Sequence, residues 1–66
     1  MLQTIVFPKA NFNKHQAISW LMEHGHHANQ IDEKPNTWRF RQHPPTFNKY
    51  YTITLPEKVE LVYGEN

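Results

Sequence analysis

Sixty-six residues make at most one domain, and a chain of this length hides only about 60% of the surface it would expose unfolded, so its core is small and its stability thin. There is no cysteine, which excludes a disulfide-stapled scaffold and a cysteine-ligated zinc site and fits a reducing compartment. Seven Lys and Arg against six Asp and Glu leave a net charge of +1, far from the basic signature of a dedicated DNA binder, and the longest apolar run, Ile5-Val6-Phe7, falls far short of a membrane span.

Residues 2–7 (LQTIVF) are β-branched and aromatic and are stopped by Pro8, which predicts a strand. Its apolar residues fall on both faces, so alternation assigns it no inward side. Residues 14–24 (KHQAISWLMEH) read as the single helix. Asn13 is a good N-cap, Gln16 completes a capping box, and Phe12 stands where it can staple onto Ala17. Ala17, Ile18, Leu21 and Met22 recur at helical spacing as one apolar stripe, and Gly25 lies where a chain turns left-handed to leave a helix. His24, in the last turn, favours the helix dipole when protonated.

Residues 28–33 (ANQIDE) and 37–42 (TWRFRQ) read as two strands of a hairpin around the turn Lys34-Pro35-Asn36. In the second strand Trp38 and Phe40 face one way and Arg39 and Arg41 the other. His43-Pro44-Pro45 breaks the pattern, because two prolines in series cannot lie inside a sheet, and residues 43–48 read as a loop. Residues 49–55 (KYYTITL) alternate Tyr51, Ile53 and Leu55 against Tyr50, Thr52 and Thr54. Pro56-Glu57 turns the chain into a last strand, 58–63 (KVELVY), where Val59, Leu61 and Tyr63 alternate with Lys58, Glu60 and Val62.

The predicted fold is α+β in the order β-α-β-β-β-β: a single helix packed on one face of a four- to five-stranded, mostly antiparallel sheet. One amphipathic helix covers one face of such a sheet. The expected core is therefore the helix stripe packed on Trp38, Phe40, Tyr51, Ile53, Leu55, Val59 and Leu61. The other face has no second layer and carries Arg39, Arg41, Tyr50, Thr52, Thr54, Glu60 and Val62. Arginines and a tyrosine on a rigid sheet match the chemistry of single-stranded nucleic-acid platforms, where rings stack on bases and guanidiniums track phosphates. The same residues also suit an ordinary solvated face, with Arg39 or Arg41 paired across strands to Glu60, or a face where two copies meet.

Other candidate chemistry is sparse. His24-Gly25-His26-His27 carries imidazole ligands, but no fixed spacing makes a site, and solvated loop histidines are the default. Asp32, Glu33 and His24 are the groups acid–base catalysis would have to gather. Ser19 lies mid-helix, the two glycines cannot build a phosphate loop, and so small a domain has little volume for a pocket. No enzymatic activity, metal or cofactor is expected. Trp20, at the margin of the stripe, is an interface anchor if exposed. Phe47 either points outward from its proline-stiffened loop or, as favoured here, caps the end of the core.

The stretch WLMEHGHHANQIDEKPNTWRFRQ resembles a small module of tailed-phage and other viral proteins, often found near prohead protease or capsid-assembly segments. The matching positions are Trp20, Leu21, His24, Gly25, Ile31, Asp32, Glu33, Arg39, Arg41 and Gln42, with Val59 to Gly64 similar to the module's closing strand and glycine. Pro44-Pro45 and the His26-His27 pair depart from that pattern. The resemblance implies a viral setting rather than a particular activity. With no secretory signal at the N-terminus, the expected location is intracellular, in host cytoplasm or nucleus, or in a virion.

The expected function is a non-enzymatic viral-type binding or assembly module that associates with itself or another viral protein through the helix-free sheet face. Arg39 and Arg41 would be the polar contacts, with Tyr50 and Thr52 beside them. The alternative is a nucleic-acid-binding module using the same residues, and no membrane partner is expected.

Overall fold

The computed structural model describes residues 1–66, and the capping signals at both helix ends are used in it. Helix α1 spans Lys14–Glu23. The Asn13 side chain accepts from the Gln16 N–H at 2.8 Å, while the Asn13 N–H donates to Gln16 Oε1 at 2.8 Å. This closes the capping box and satisfies amides that the first turn leaves free. At the other end His24 is the C-cap and Gly25 takes φ +73°. The Gly25 N–H then donates to Met22 and the His26 N–H to Leu21, the paired bonds of a Schellman motif.

Five strands accompany the helix: β1 (Leu2–Pro8), β2 (Ile31–Glu33), β3 (Thr37–Arg41), β4 (Lys49–Thr54) and β5 (Glu60–Glu65). All pairings are antiparallel, and the sheet runs β2-β3-β1-β5-β4. The fold is α+β in the expected order. Of the expected strand 28–33, only Ile31–Glu33 pairs.

The sheet order puts β1 at the centre and gives it the inward side that alternation could not assign. Register aligns Ile31, Phe40, Ile5, Leu61 and Ile53 in one row across the sheet, with Glu33, Trp38 and Phe7 in the next. These rows face the helix. Ile5, Phe7, Phe40 and Val59 form the fully buried core with Ala17 and Leu21, and Trp38, Leu55, Leu61 and Ile18 pack at its margin. Phe7 is its hub, meeting Phe12, Trp20 and Phe40 edge-on at 5.3, 5.5 and 5.6 Å between ring centres.

Three residues expected in the core lie outside it. Tyr51 and Ile53 are each 45% exposed and Met22 69% exposed. A helix about 10 Å across covers two to three strands spaced about 4.8 Å apart, not five. Strand β4 faces the helix side with Tyr51 and Ile53 but lies at the sheet edge, beyond the helix's reach.

The β4–β5 turn also departs from its sequence pattern. The Lys58 N–H donates to the Leu55 carbonyl at 2.9 Å, and the Leu55 N–H donates to Val59 at 2.8 Å. Lys58 itself takes φ 77°, the left-handed position that glycine usually fills in a three-residue hairpin loop. Asn36, which tolerates such angles, is not used that way. Gly25 and Lys58 thus make opposite predictions. Gly25→Ala meets no atom within 4 Å, so its cost is backbone strain alone, about 1 kcal/mol. Lys58→Gly should leave stability unchanged or raise it by up to about 1 kcal/mol, because relief of strain is partly offset by glycine's greater unfolded entropy. Urea denaturation of the two variants checks both signs.

Candidate binding surface on the helix-free face

The residues expected on the bare face share it. Register sets Asp32, Arg39, Val6, Glu60 and Thr54 in one row, then Arg41, Thr4, Val62 and Thr52, then Gly64 and Tyr50. They do not form one cluster. Arg39 and Arg41 stand on β3, and Tyr50 and Thr52 on β4, with β1 and β5 between, a separation of about 14 Å at the usual strand spacing. The face carries two half-sites joined by a floor of Thr4, Val6 and Val62, of which Thr4 and Val6 are buried.

The arginine half-site is chemically open. Neither guanidinium takes part in an ion pair or a side-chain hydrogen bond; the ion pairs are Lys9–Glu33 at 2.6 Å and Lys34–Asp32 at 3.3 Å. The expected pairing with Glu60 is absent because β1 separates β3 from β5 and sets Val6 between Arg39 and Glu60. Asp32 is the direct cross-strand neighbour of Arg39, but its carboxylate pairs with Lys34. Arg41 stands between two polar clefts. One of about 310 Å³ is bordered by His27, Asn29, Gln30, Gln42, His43 and Pro44, and one of about 230 Å³ by Gln3, Thr4, Asp32, Arg39 and Pro45.

The face is not wholly bare, contrary to the sequence reading. Strands β3 and β4 are separated by two others, so residues 42–48 must cross β1 and β5, and the helix occupies the opposite side. The Gln42 and His43 amides donate to the Gln3 carbonyl, and the Gln3 side chain donates back to His43, pinning the start of the crossing. Pro45 then walls the cleft beside Arg39 and Arg41. Phe47 neither points outward nor caps the core. It lies over Gly64 so closely that a methyl group there would overlap its ring. An aromatic ring over a strand glycine fills the place of the missing side chain. Tyr50 is therefore partly engaged, meeting Phe47 edge-on at 6.0 Å, with the Phe47 N–H donating to its hydroxyl at 3.3 Å.

The histidines do not converge on a metal. No group of three or more His, Asp or Glu side chains gathers at a potential ion site. His24 stacks on Trp20 at 3.8 Å and His26 lies parallel to the same ring at 6.1 Å. Trp20 is half-buried, and its indole N–H donates to Glu57 Oε2 at 3.2 Å, tying the helix end to the β4–β5 turn. It is a structural clamp rather than an exposed anchor. Burial, then the neighbouring charges of His24 and His27, hold the His26 imidazole below its ordinary value.

Sequence reasoning missed the two glutamines that organise this end of the sheet. Gln42 gives and accepts one hydrogen bond with the His27 backbone, each 2.8 Å, and Gln3 holds the opposite loop. Gln42 had a signal in its place at the end of Arg-x-Arg-Gln; Gln3 had none.

Comparison with protein-family models, curated proteins and solved structures finds no match to this chain. No helix is long and apolar enough to cross a membrane.

Two outcomes follow from this geometry. Gly64→Ala should displace Phe47 and cost about 1–3 kcal/mol, with the Tyr50 ring shifts in an NMR spectrum reporting the loss of the cap. Because His26 is lowered in the folded protein, the unfolded chain takes up its proton first. Its contribution to stability is full above pH 6.5 and is lost as pH falls through the lowered folded value. The urea midpoint should fall between pH 7.5 and pH 5, and His26→Gln should flatten that slope.

Proposed function

We propose that this protein is a non-enzymatic binding and assembly module that associates with a second copy or another protein through its sheet. Arg39 and Arg41 contribute polar contacts from β3, and Tyr50 and Thr52 contribute contacts from the far edge. The observation that carries this reading is the pair of unengaged guanidiniums on a floor otherwise satisfied within the chain. The charge pattern of the face favours a protein partner: Arg39 and Arg41 are interleaved with the carboxylates of Asp32 and Glu60 rather than gathered into a wholly basic stripe. The likeness of residues 20–42 to the tailed-phage module supports a viral assembly setting, inside a host cell or in a virion.

The separation of Asp32, Glu33 and His24 supports the non-enzymatic part. Asp32 and Glu33 alternate to opposite faces of β2, each paired with a lysine, and His24 is stacked on Trp20.

A second reading, nucleic-acid binding, draws on the same free guanidiniums beside a cleft. The two part in solution. Sedimentation from low to high micromolar concentration should show a reversible rise in mass, and a strict monomer throughout would overturn the self-assembly reading. Short single-stranded and duplex DNA should leave mobility unchanged at low salt. A shift that weakens with salt, and whose salt slope flattens in the Arg39→Ala, Arg41→Ala double variant, would establish the nucleic-acid reading instead.

A further inference from the structure

We infer that β4 is the contact edge between two copies, pairing antiparallel with the same strand of a second molecule about a two-fold axis midway between the two Thr52 residues. The inference rests on the assembly reading above and names its partner and its contact.

The sheet has two edges, and only one is protected. Strand β2 has three residues, places Asp32 and Glu33 in lysine ion pairs, and ends two residues before Pro35. Short length, charge and proline are the devices that keep an edge from pairing. Strand β4 has six residues, all exposed, with no charge from Tyr50 to Thr54 and no proline or bulge. Tyr50, Tyr51 and Ile53 on it are among the few large apolar side chains left in water.

The open hydrogen-bonding groups can be named. The Met1 amine donates to the Gly64 carbonyl and the Gly64 N–H donates to Met1, so Gly64 directs its peptide groups toward β1. By the alternation of an antiparallel ladder, Leu61 and Tyr63 direct theirs toward β4, where Ile53 and Tyr51 receive them. The N–H and C=O groups of Tyr50, Thr52 and Thr54 consequently point outward. A strand of a second copy centred on Thr52 satisfies all of them.

That register is self-complementary. Thr52 meets the partner's Thr52, Tyr50 meets the partner's Thr54, and Tyr51 meets the partner's Ile53. The last is an aromatic–β-branched cross-strand pair of the kind that stabilises sheets. Tyr51 already stacks on Tyr63 at 5.3 Å, so pairing extends an apolar row from Tyr63 through Tyr51 to Ile53 and Leu61 of the partner subunit. Lys49 meets the partner's Leu55, so no like charges oppose. The result is one continuous sheet with the two helices on the same side, and Arg39 and Arg41 stay free on its helix-free face for polar contacts with another protein. A single strand edge is a small interface, so association is concentration-dependent.

Because the Thr52 N–H faces outward, proline there removes both central intermolecular bonds without breaking the β4–β5 ladder. Sedimentation of the wild type should show a monomer–dimer equilibrium. Thr52→Pro and Ile53→Lys should both be monomeric with unchanged circular dichroism, while Met22→Lys, an exposed apolar residue on the helix, stays dimeric. In the wild type the amides of Tyr50, Thr52 and Thr54 should exchange more slowly as concentration rises. A dimer that persists in both folded edge variants, or is lost equally in Met22→Lys, overturns the edge contact and leaves the assembly reading standing. A wild type that never dimerises overturns the edge contact and, with it, the self-association half of the assembly reading. Should the edge variants fail to fold, amide exchange that is identical in dilute and concentrated wild type overturns the inference by itself.

Discussion

The aromatic contact around Phe7 is the interaction on which the rest of this structure depends. One ring, fully buried on the central strand, meets Phe12 from the chain entering the helix, Trp20 from the helix and Phe40 from the neighbouring strand. Removing such a ring from a core costs about 3–5 kcal/mol, a large fraction of what a domain this small can hold. The same contact fixes where α1 lies. Its N-terminal entry is anchored by the Trp38 indole N–H donating to the Phe12 carbonyl at 3.1 Å, and its C-terminal end by Trp20 on Glu57.

Placing the helix over the central strands has two consequences at the periphery. On the helix side it leaves Tyr51 and Ile53 uncovered, because no element remains to lie over β4. On the opposite side it leaves the sheet to whatever the connections provide. The crossing from β3 to β4 provides a partial cover at one end, where Phe47 substitutes for the side chain that Gly64 lacks. The arginines lie at the margin of that cover, with one wall of their cleft supplied by Pro45. Pro44 and Pro45 stiffen a segment that has to pass over two strands and then enter a third.

This division of labour gives the small chain a stable centre and a reactive boundary. The centre is closed by apolar contacts, the capping box and the Schellman motif, each satisfied within the chain. The boundary holds groups left without a partner in the chain, among them two guanidiniums on β3, the outward peptide groups of β4 and Nδ1 of His43 in the crossing loop. Trp20 packs against the core, and the exposed His24 and half-buried His26 lie parallel to its indole outside the core. Stacking on the indole, rather than ion binding, accounts for the placement of both imidazoles.

Local order was legible in the sequence wherever the signal was local. Asn13, Gln16 and Gly25 specify the helix ends because caps act over a few residues, and the two-residue alternation of β3, β4 and β5 sorts their side chains correctly into two faces. The α+β class follows from the capped helix set among these strands, and the face shared by Arg39, Arg41, Tyr50 and Thr52 follows from the alternation once the apolar sides turn toward the helix. Which strand lies beside which does not, because strand order depends on pairings between residues far apart in the chain. That order decided that Ile5 and Phe7 fill the core while Tyr51 and Ile53 stay in water, and that β1 separates the arginines from Glu60. It also decided that residues 42–48 cover part of a face the sequence left empty. Patterning acts through neighbours in the chain; the competition for the centre of the sheet is settled by neighbours in space.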